Sequence, residues 1–400
     1  MSKKKYCLLR MINADNNNNK DYEMVQQDDD HFKASWGRIN STKMSKVYSM
    51  SVWDSIYNKK VREGYTDVTT LVAVVKEEVS KYSDISDEEV KKLVDQLMHY
   101  ANEYVKKTYE VDKKEVTVNM VKLAQELIDN LSKKVDNVDI DGFNHIYQKL
   151  MTVIPRKMQS VAACLASNTS SGDELAQIVR DEQATLDTLK SVCDFSHENA
   201  KTNKPTILEA LGLKIRPCTD KEIAKIKEKL AAESAIHFDK AFRIESERVE
   251  NKFNEYCKKN GYSNKDIHFL YHGTRNQNVW SIMQTSLSLN PNAPITGKMF
   301  GYGLYLAPRA KKSIGYTSLR GSFWVGGSSD TGYLFVMKAA YKKPYDVYTH
   351  KSEYMRYTEK DIKRLGADAM YAHAGSMLRN DEIIVYNEGA ITPRYLIQLK

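Results

Sequence analysis

The hydrophobic period of this chain changes twice, and that divides its 400 residues into three stretches that cannot share one architecture. Up to about Thr70 the apolar and aromatic residues fall in short runs, Tyr6 to Ile12 and Val47 to Trp53, separated by polar stretches. This pattern predicts a small strand-rich domain over residues 1–70, with Asn16 to Asn19 as a hairpin tip or flexible loop. From Ser86 the period becomes helical. Val90, Leu93, Val94, Leu97, Met98 and Ala101 form one apolar face behind a Ser86/Glu89 capping-box pattern. Similar stripes run from Met120 to Leu131, Phe143 to Met151 and Leu175 to Leu189, so residues 71–204 are expected to pack as a helical bundle. Pro155 ends the third helix, because a proline inside it would remove a hydrogen bond and clash with the preceding turn. Lys201 to Pro205 reads as a linker. Beyond it, a second capping-box pattern at Thr219 and Glu222 opens a helix. That helix leads into β-prone segments at Ala241–Val249, His268–Thr274, Tyr333–Tyr341, Asp381–Tyr386 and Tyr395–Lys400, a mixed domain over residues 205–400. The expected fold class is thus α+β and multidomain.

The longest apolar runs, such as Leu71–Val75 and Val161–Ala166, fall far short of the roughly 18 residues that suggest a membrane span. The basic N-terminus lacks the apolar core and small-residue cleavage site of a secretion signal. Cys7, Cys164, Cys193, Cys218 and Cys257 are odd in number and never spaced as C-x-x-C, which predicts neither a disulfide framework nor a metal site and suits reduced thiols inside a cell. The net charge of +8 is uneven: +3 over residues 1–70, −5 over 71–204 and +10 over 205–400. Basic ends suit polyanionic partners, and they also suit an ordinary solvated surface.

Four short segments carry the chemistry. Tyr271-His272-Gly273-Thr274 closes a predicted strand, and Met299-Phe-Gly-Tyr-Gly-Leu-Tyr305 follows a turn-rich stretch. Lys312-Ser-Ile-Gly-Tyr316 comes next, and Asp381-Glu-Ile-Ile-Val-Tyr386 forms a late strand. Gly301-Tyr-Gly303 does not open a helix as G-x-G-x-x-G, so it is no Rossmann signal, and Gly297-Lys298-Met299 lacks the Ser or Thr of a phosphate loop. In their order and spacing the four segments resemble the poly(ADP-ribose) polymerase family. Its catalytic domain has the diphtheria-toxin type of ADP-ribosyltransferase fold and a spaced His, Tyr, Glu signature, matched here by His272, Tyr305 and Glu382. Phe143–Met158, ending in Thr-Val-Ile-Pro-Arg, is similar to a helix of the family's regulatory helical domain, and Trp36-Gly37-Arg38 resembles the namesake of its W-G-R domain.

The resemblance implies an enzyme that breaks NAD at its nicotinamide bond, with NAD as a consumed substrate and no metal. Glu382 would stabilise the cation developing on the ribose and activate the acceptor hydroxyl. His272 would hold the adenosine ribose, Gly273 would pair its backbone with the carboxamide, and Ser313 would add a hydroxyl. Tyr316 and Tyr305 would enclose the nicotinamide ring, with Lys312 near the transfer site. Trp36 and Arg38 would belong to a DNA-binding W-G-R domain over residues 1–70, and residues 71–204 would form the regulatory helical domain. The implied partners are DNA breaks and protein acceptors including the chain itself, in the nucleus of a eukaryote or otherwise the cytoplasm. Ser288 stands where many members carry Arg, Lys298 where they carry Tyr, and Asn380 where an aromatic residue precedes the Glu by two positions. Polymer formation, single transfer to protein or nucleic acid, and a catalytically silent DNA-end adaptor all remain compatible with these residues.

Overall fold

The computed structural model describes residues 4–72, 82–193, 204–289 and 299–400. Lys3, most of the Lys201–Pro205 linker, part of the Leu71–Val75 run, Gly297 and Lys298 lie outside the described residues. The chain packs as two compact units. One comprises Met1–Glu77, Tyr104–Leu186 and Cys193–Ser196; the other comprises Glu78–Glu103, Asp187–Val192 and His197–Lys400.

In the first unit the short apolar runs become β1 (Tyr6–Asn13), β2 (Asn18–Gln26), β3 (His31–Arg38), β4 (Met44–Ser49) and β5 (Thr66–Asp67). They form one antiparallel sheet in the order β4-β3-β2-β1-β5. Asn16 and Asn17 lie at the tip of the first hairpin and Asn18 and Asn19 open β2, with Asn17 at φ +48°, a left-handed conformation that asparagine tolerates. Leu9, Met24, Phe32 and Ala34 are buried beneath the helix Trp53–Arg62, and the Trp53 ring meets Phe32 edge-on at 4.8 Å. Arg10 is buried and forms an ion pair with buried Asp21 across the hairpin (2.8 Å), while Arg10 Nη1 donates to the carbonyl of Thr152 (3.2 Å). A desolvated charge is tolerated only when it is paired and hydrogen-bonded in this way.

The helical stripes predicted from Met120 and Phe143 become Val118–Val135, capped by Thr117, and Ile140–Val153, capped by Asp139. The backbone is extended at Ile154, just before Pro155. Arg156 then pairs with buried Glu182, which also accepts from Tyr147 Oη (2.8 Å), and the Arg156 guanidinium lies 4.4 Å from the centre of the Tyr109 ring. The sequence pattern placed the cap of the helix Glu88–Thr108 at Ser86 with Glu89. The capping side chain is instead Asp87, whose Oδ1 accepts from the amides of Glu89 (2.9 Å) and Val90 (3.1 Å). A carboxylate at this position also meets the positive end of the helix dipole.

The second unit holds two sheets. β6 (Leu213–Pro217), β7 (Phe238–Ser246), β8 (Ile267–Gly273), β10 (Gly332–Ala340) and β14 (Ile391–Leu399) form an antiparallel sheet in the order β6-β7-β14-β10-β8. β9 (Leu304–Leu306), β11 (Pro344–Val347), β12 (Ala369–Ala372) and β13 (Glu382–Val385) form a second, in the order β11-β12-β13-β9, with β11 and β12 parallel. Tyr271 and Ala307 exchange backbone hydrogen bonds of 2.8 and 2.9 Å, which couples β8 to the second sheet. The Thr219/Glu222 capping box forms as expected and opens the helix Asp220–Leu230. The predicted strand Ala241–Val249 ends early at Ser246, and Val249 belongs to the helix Glu247–Asn260, where it is buried with Phe253. Within this unit the helical residues 88–103 and 187–192 touch the sheets and their neighbours. Glu89 pairs with Lys240 (2.8 Å), Tyr100 meets Tyr333 edge-on (6.5 Å), and the Ser191 carbonyl accepts from Trp280 Nε1 (3.1 Å).

Candidate active site

The four signature segments, spread over more than a hundred residues, converge where β8 meets β9. His272 and Gly273 end β8, Tyr305 is the middle residue of β9, and Glu382 opens β13. In the β13–β9 register Ile384 faces Tyr305, so Glu382, two residues earlier, shares that face of the sheet. The face is covered by Phe300, Tyr354, Met370 and Tyr386. Lys312 and Ser313 lie on the short helix Ala310–Ile314, which packs on β8.

Glycine is required at 273 by a close approach: a Cβ there would overlap the Ser313 carbonyl oxygen. Position 301 has φ +80°, and a Cβ there would run into the backbone of Tyr357. The Phe300–Gly301 turn is held by two tyrosine hydroxyls. Tyr305 Oη accepts from the Phe300 amide (3.1 Å) and donates to the Gly301 carbonyl (3.0 Å), while Tyr386 Oη donates to the Phe300 carbonyl (2.5 Å). Burial pushes the Tyr386 hydroxyl pKa far above its ordinary value, so it stays a donor. Tyr305 therefore has a ring anchored at its hydroxyl end.

His272 Nδ1 donates to the Tyr305 carbonyl (3.3 Å) in the Nδ1-protonated tautomer, which makes Nε2 the acceptor of the ring. Across the site, Lys312 Nζ forms an ion pair and hydrogen bond with Glu382 Oε1, both side chains being mostly buried. Burial draws the Lys312 ammonium down to about 8, and Asp381 opposes that fall. Asp381 is itself held by the Ala374 amide (2.7 Å) and the Tyr371 hydroxyl (3.2 Å), which fixes the approach of the chain to Glu382. Among the described residues, no group of three or more His, Cys, Asp or Glu side chains could hold a metal ion.

The site thus combines a buried carboxylate with its own counter-cation, an imidazole held at Nδ1, backbone brought within reach by a glycine, and anchored aromatic rings. Residues 220–400 match the poly(ADP-ribose) polymerase catalytic domain. The chain belongs to this family. A protein of Invertebrate iridescent virus 6 designated 101L is 34% identical over 188 residues, spanning 46% of this chain and 76% of the viral protein. Poly [ADP-ribose] polymerase 1 of Oryza sativa is 28% identical over 185 residues, 42% of this chain but 18% of that protein. Poly [ADP-ribose] polymerase 2 of Arabidopsis thaliana is 28% identical over 162 residues, 34% of this chain and 24% of its own length. The C-terminal segment is accordingly an ADP-ribosyltransferase domain of the type that uses NAD.

Around this polymerase-family site the sequence signature left several participants unmarked. The Lys312–Glu382 pair joins residues 70 apart, and no local pattern announces it. Tyr316, singled out as a ring-stacking residue, is 38% exposed and stacks on Trp324 with centroids 5.9 Å apart. Trp324 went unnoticed because it lies in a Gly- and Ser-rich stretch. In the first unit, Trp36 stacks on Tyr22 (5.7 Å), and Arg38 Nη2 donates to the carbonyls of Met158 (3.3 Å) and Gln159 (3.2 Å). No helix among the described residues is long and apolar enough to cross a membrane.

Proposed function

We propose that this chain transfers ADP-ribose from NAD to protein acceptors, itself included, releases nicotinamide, elongates the product into poly(ADP-ribose), and does so in response to DNA breaks. The observation that carries the reading is the buried Lys312–Glu382 pair on the sheet face it shares with Tyr305, the residue whose carbonyl holds His272. Departure of nicotinamide leaves positive charge on the ribose, as in glycoside cleavage. A carboxylate beside that ribose is worth more in the transition state than before it. Glu382 accepts from the ribose 2′-hydroxyl and stabilises this charge. It then takes the acceptor hydroxyl proton as the acceptor oxygen bonds to the anomeric carbon and the nicotinamide bond breaks. Lys312 orients Glu382 until substrate arrives. His272 Nε2 accepts from the adenosine ribose, the Gly273 backbone and the Ser313 hydroxyl bind the carboxamide, and Tyr316 with Tyr305 holds the nicotinamide ring between flat faces.

In this reading residues 1–70, including Trp36 and Arg38, engage the break. Arg38 already donates to the carbonyls that follow Pro155, so movement of β3 is transmitted to that segment. The helical residues 187–192 restrain the domain through the contact of Trp280 with Ser191, because the helix carrying Trp280, Asn276–Thr285, directly follows the His272–Gly273 strand. Loosening those helices on DNA binding admits NAD.

The test is incubation of the full chain with labelled NAD, with and without nicked or blunt-ended DNA, beside Glu382→Gln, with products resolved by size. Long ladders that need both DNA and Glu382 are expected. One discrete addition per acceptor would refute elongation, and product that is indifferent to DNA would refute break activation. Absence of nicotinamide release from folded protein would refute the enzyme reading.

A further inference from the structure

Beside Tyr316 the structure exposes an aromatic and cationic ledge that the transfer chemistry does not use. Residues 318–329 form a tight loop: Ser329 N donates to the Ser318 carbonyl (2.9 Å), Arg320 N to the Ser329 carbonyl (2.7 Å), and buried Ser322 Oγ to the Ile314 carbonyl (2.9 Å). Gly321 (φ +84°) and Gly326 (φ +58°) turn the chain on either side of Phe323 and Trp324. The backbone of Trp324 is pinned to the Gly315 carbonyl (3.0 Å), yet its side chain is 46% exposed and that of Phe323 68% exposed. The two rings meet edge to face at 4.8 Å, and Arg379 lies 5.4 Å from the centre of Phe323 and 6.0 Å from that of Trp324. Among the described residues no carboxylate pairs with Arg379, which is only three residues before Glu382 in the chain.

Large apolar rings held rigidly in solvent are unfavourable unless something covers them. Flat π faces beside an unneutralised guanidinium suit a planar group attached to an anion, which is the chemistry of an unpaired nucleotide. Base-on-aromatic stacking tolerates any base sequence, and a positively charged surround draws in the phosphates. Residues 205–400 carry a net charge of +10, which complements nucleic acid. A duplex presents its bases already stacked and out of reach, so the matching ligand is single-stranded.

We propose that Phe323, Trp324 and Arg379 form a binding ledge for single-stranded nucleic acid at the edge of the transfer site. The inference concerns binding and stands apart from whether transfer occurs. The test uses the full chain with a fluorescent oligonucleotide of eight deoxyadenosines, a blunt duplex of similar length, and the double variant Phe323→Ser/Arg379→Gln, which leaves Tyr316 and Trp324 in place. Single-strand affinity is expected to fall at least about tenfold, with duplex affinity and melting temperature unchanged. An oligonucleotide substituted with 5-iododeoxyuridine is expected to photocrosslink at Phe323 or Trp324. Undetectable single-strand binding, unchanged single-strand affinity in the variant, an equal loss of duplex affinity, or crosslinks that map only elsewhere would overturn the proposal. So would an acidic tyrosine-containing peptide that binds more tightly than the oligonucleotide and loses the same affinity in the variant, since it would assign the ledge to a protein partner.

Discussion

Ser286 is strained twice, and the two strains can be separated by mutation. It follows the helix Asn276–Thr285 with φ +64° and ψ −174°, a conformation essentially reserved for glycine. Its amide donates to the Ile282 carbonyl (2.8 Å) and so ends the helix, but its buried hydroxyl has no hydrogen-bond partner among the described residues. Holding a Cβ in this region costs about 1–3 kcal/mol, and an unsatisfied buried hydroxyl costs roughly 1–3 kcal/mol more. Ser286→Ala relieves only the second strain, whereas Ser286→Gly relieves both and gives back a few tenths to about 1 kcal/mol in unfolded-chain entropy. We expect Ala to raise the melting temperature by a few degrees. Gly should raise it further by roughly 2–6 °C, using about 2–4 °C per kcal/mol for a unit of this size. Differential scanning calorimetry of the full chain measures both variants. A glycine variant no more stable than the alanine variant would refute the backbone argument, and an alanine variant no more stable than the parent would refute the hydroxyl argument.

Glu382→Gln is expected to lower turnover about 100- to 10,000-fold in a nicotinamide-release assay, the range for losing a general base. It also leaves the buried Lys312 ammonium without its partner. Because burial holds Lys312 near pH 8, turnover should fall as pH rises through about 8 and the cation beside Glu382 is lost; Lys312→Arg should flatten that profile. For stability the sign is opposite: between about pH 8 and the ordinary lysine value near 10.5 the unfolded chain keeps a proton that the folded chain has released, so stability rises with pH across that window. Gly273→Ala must separate β8 from the helix Ala310–Ile314 and should cost about 1–3 kcal/mol of stability, seen in a urea titration, along with NAD affinity. Trp280→Phe keeps an aromatic ring but removes both the donor to the Ser191 carbonyl and part of the buried indole's packing; activity without DNA should rise several-fold if that contact restrains the domain.

Much of this molecule could be read from its residues because the signals were local. The first hairpin, the Thr219/Glu222 capping box and the end of the helix before Pro155 each depend on neighbours within about four positions. Glu247–Asn260 was missed for a physical reason: it buries only Val249 and Phe253 and is otherwise mostly charged or polar, so its apolar stripe is too thin to announce a helix. Asn276–Thr285 starts from Arg275 with no side-chain cap, directly after a strand and a two-residue link. At the site the four segments were legible, but their joining was not. That Lys312 neutralises Glu382 depends on a sheet register and a helix placement, and neither is written in residues near 312 or 382. The Arg10–Asp21 and Arg156–Glu182 pairs are hidden for the same reason, since a buried charge looks like a surface charge until the chain has folded.

The two last strands lie in different sheets, and β14 sits between β7 and β10 at the centre of the larger one. During synthesis, the strand that completes this sheet is made after its four partner strands and after His272, Tyr305 and Glu382. A product that stops short of Ile391 would carry every signature side chain and yet expose the open flanks of β7 and β10, an invitation to intermolecular strand pairing. A nonsense allele that stops the chain just before Ile391 should therefore behave as an aggregating null rather than as a weakened enzyme, and no shortened fragment ending at Val385 would serve as a minimal domain.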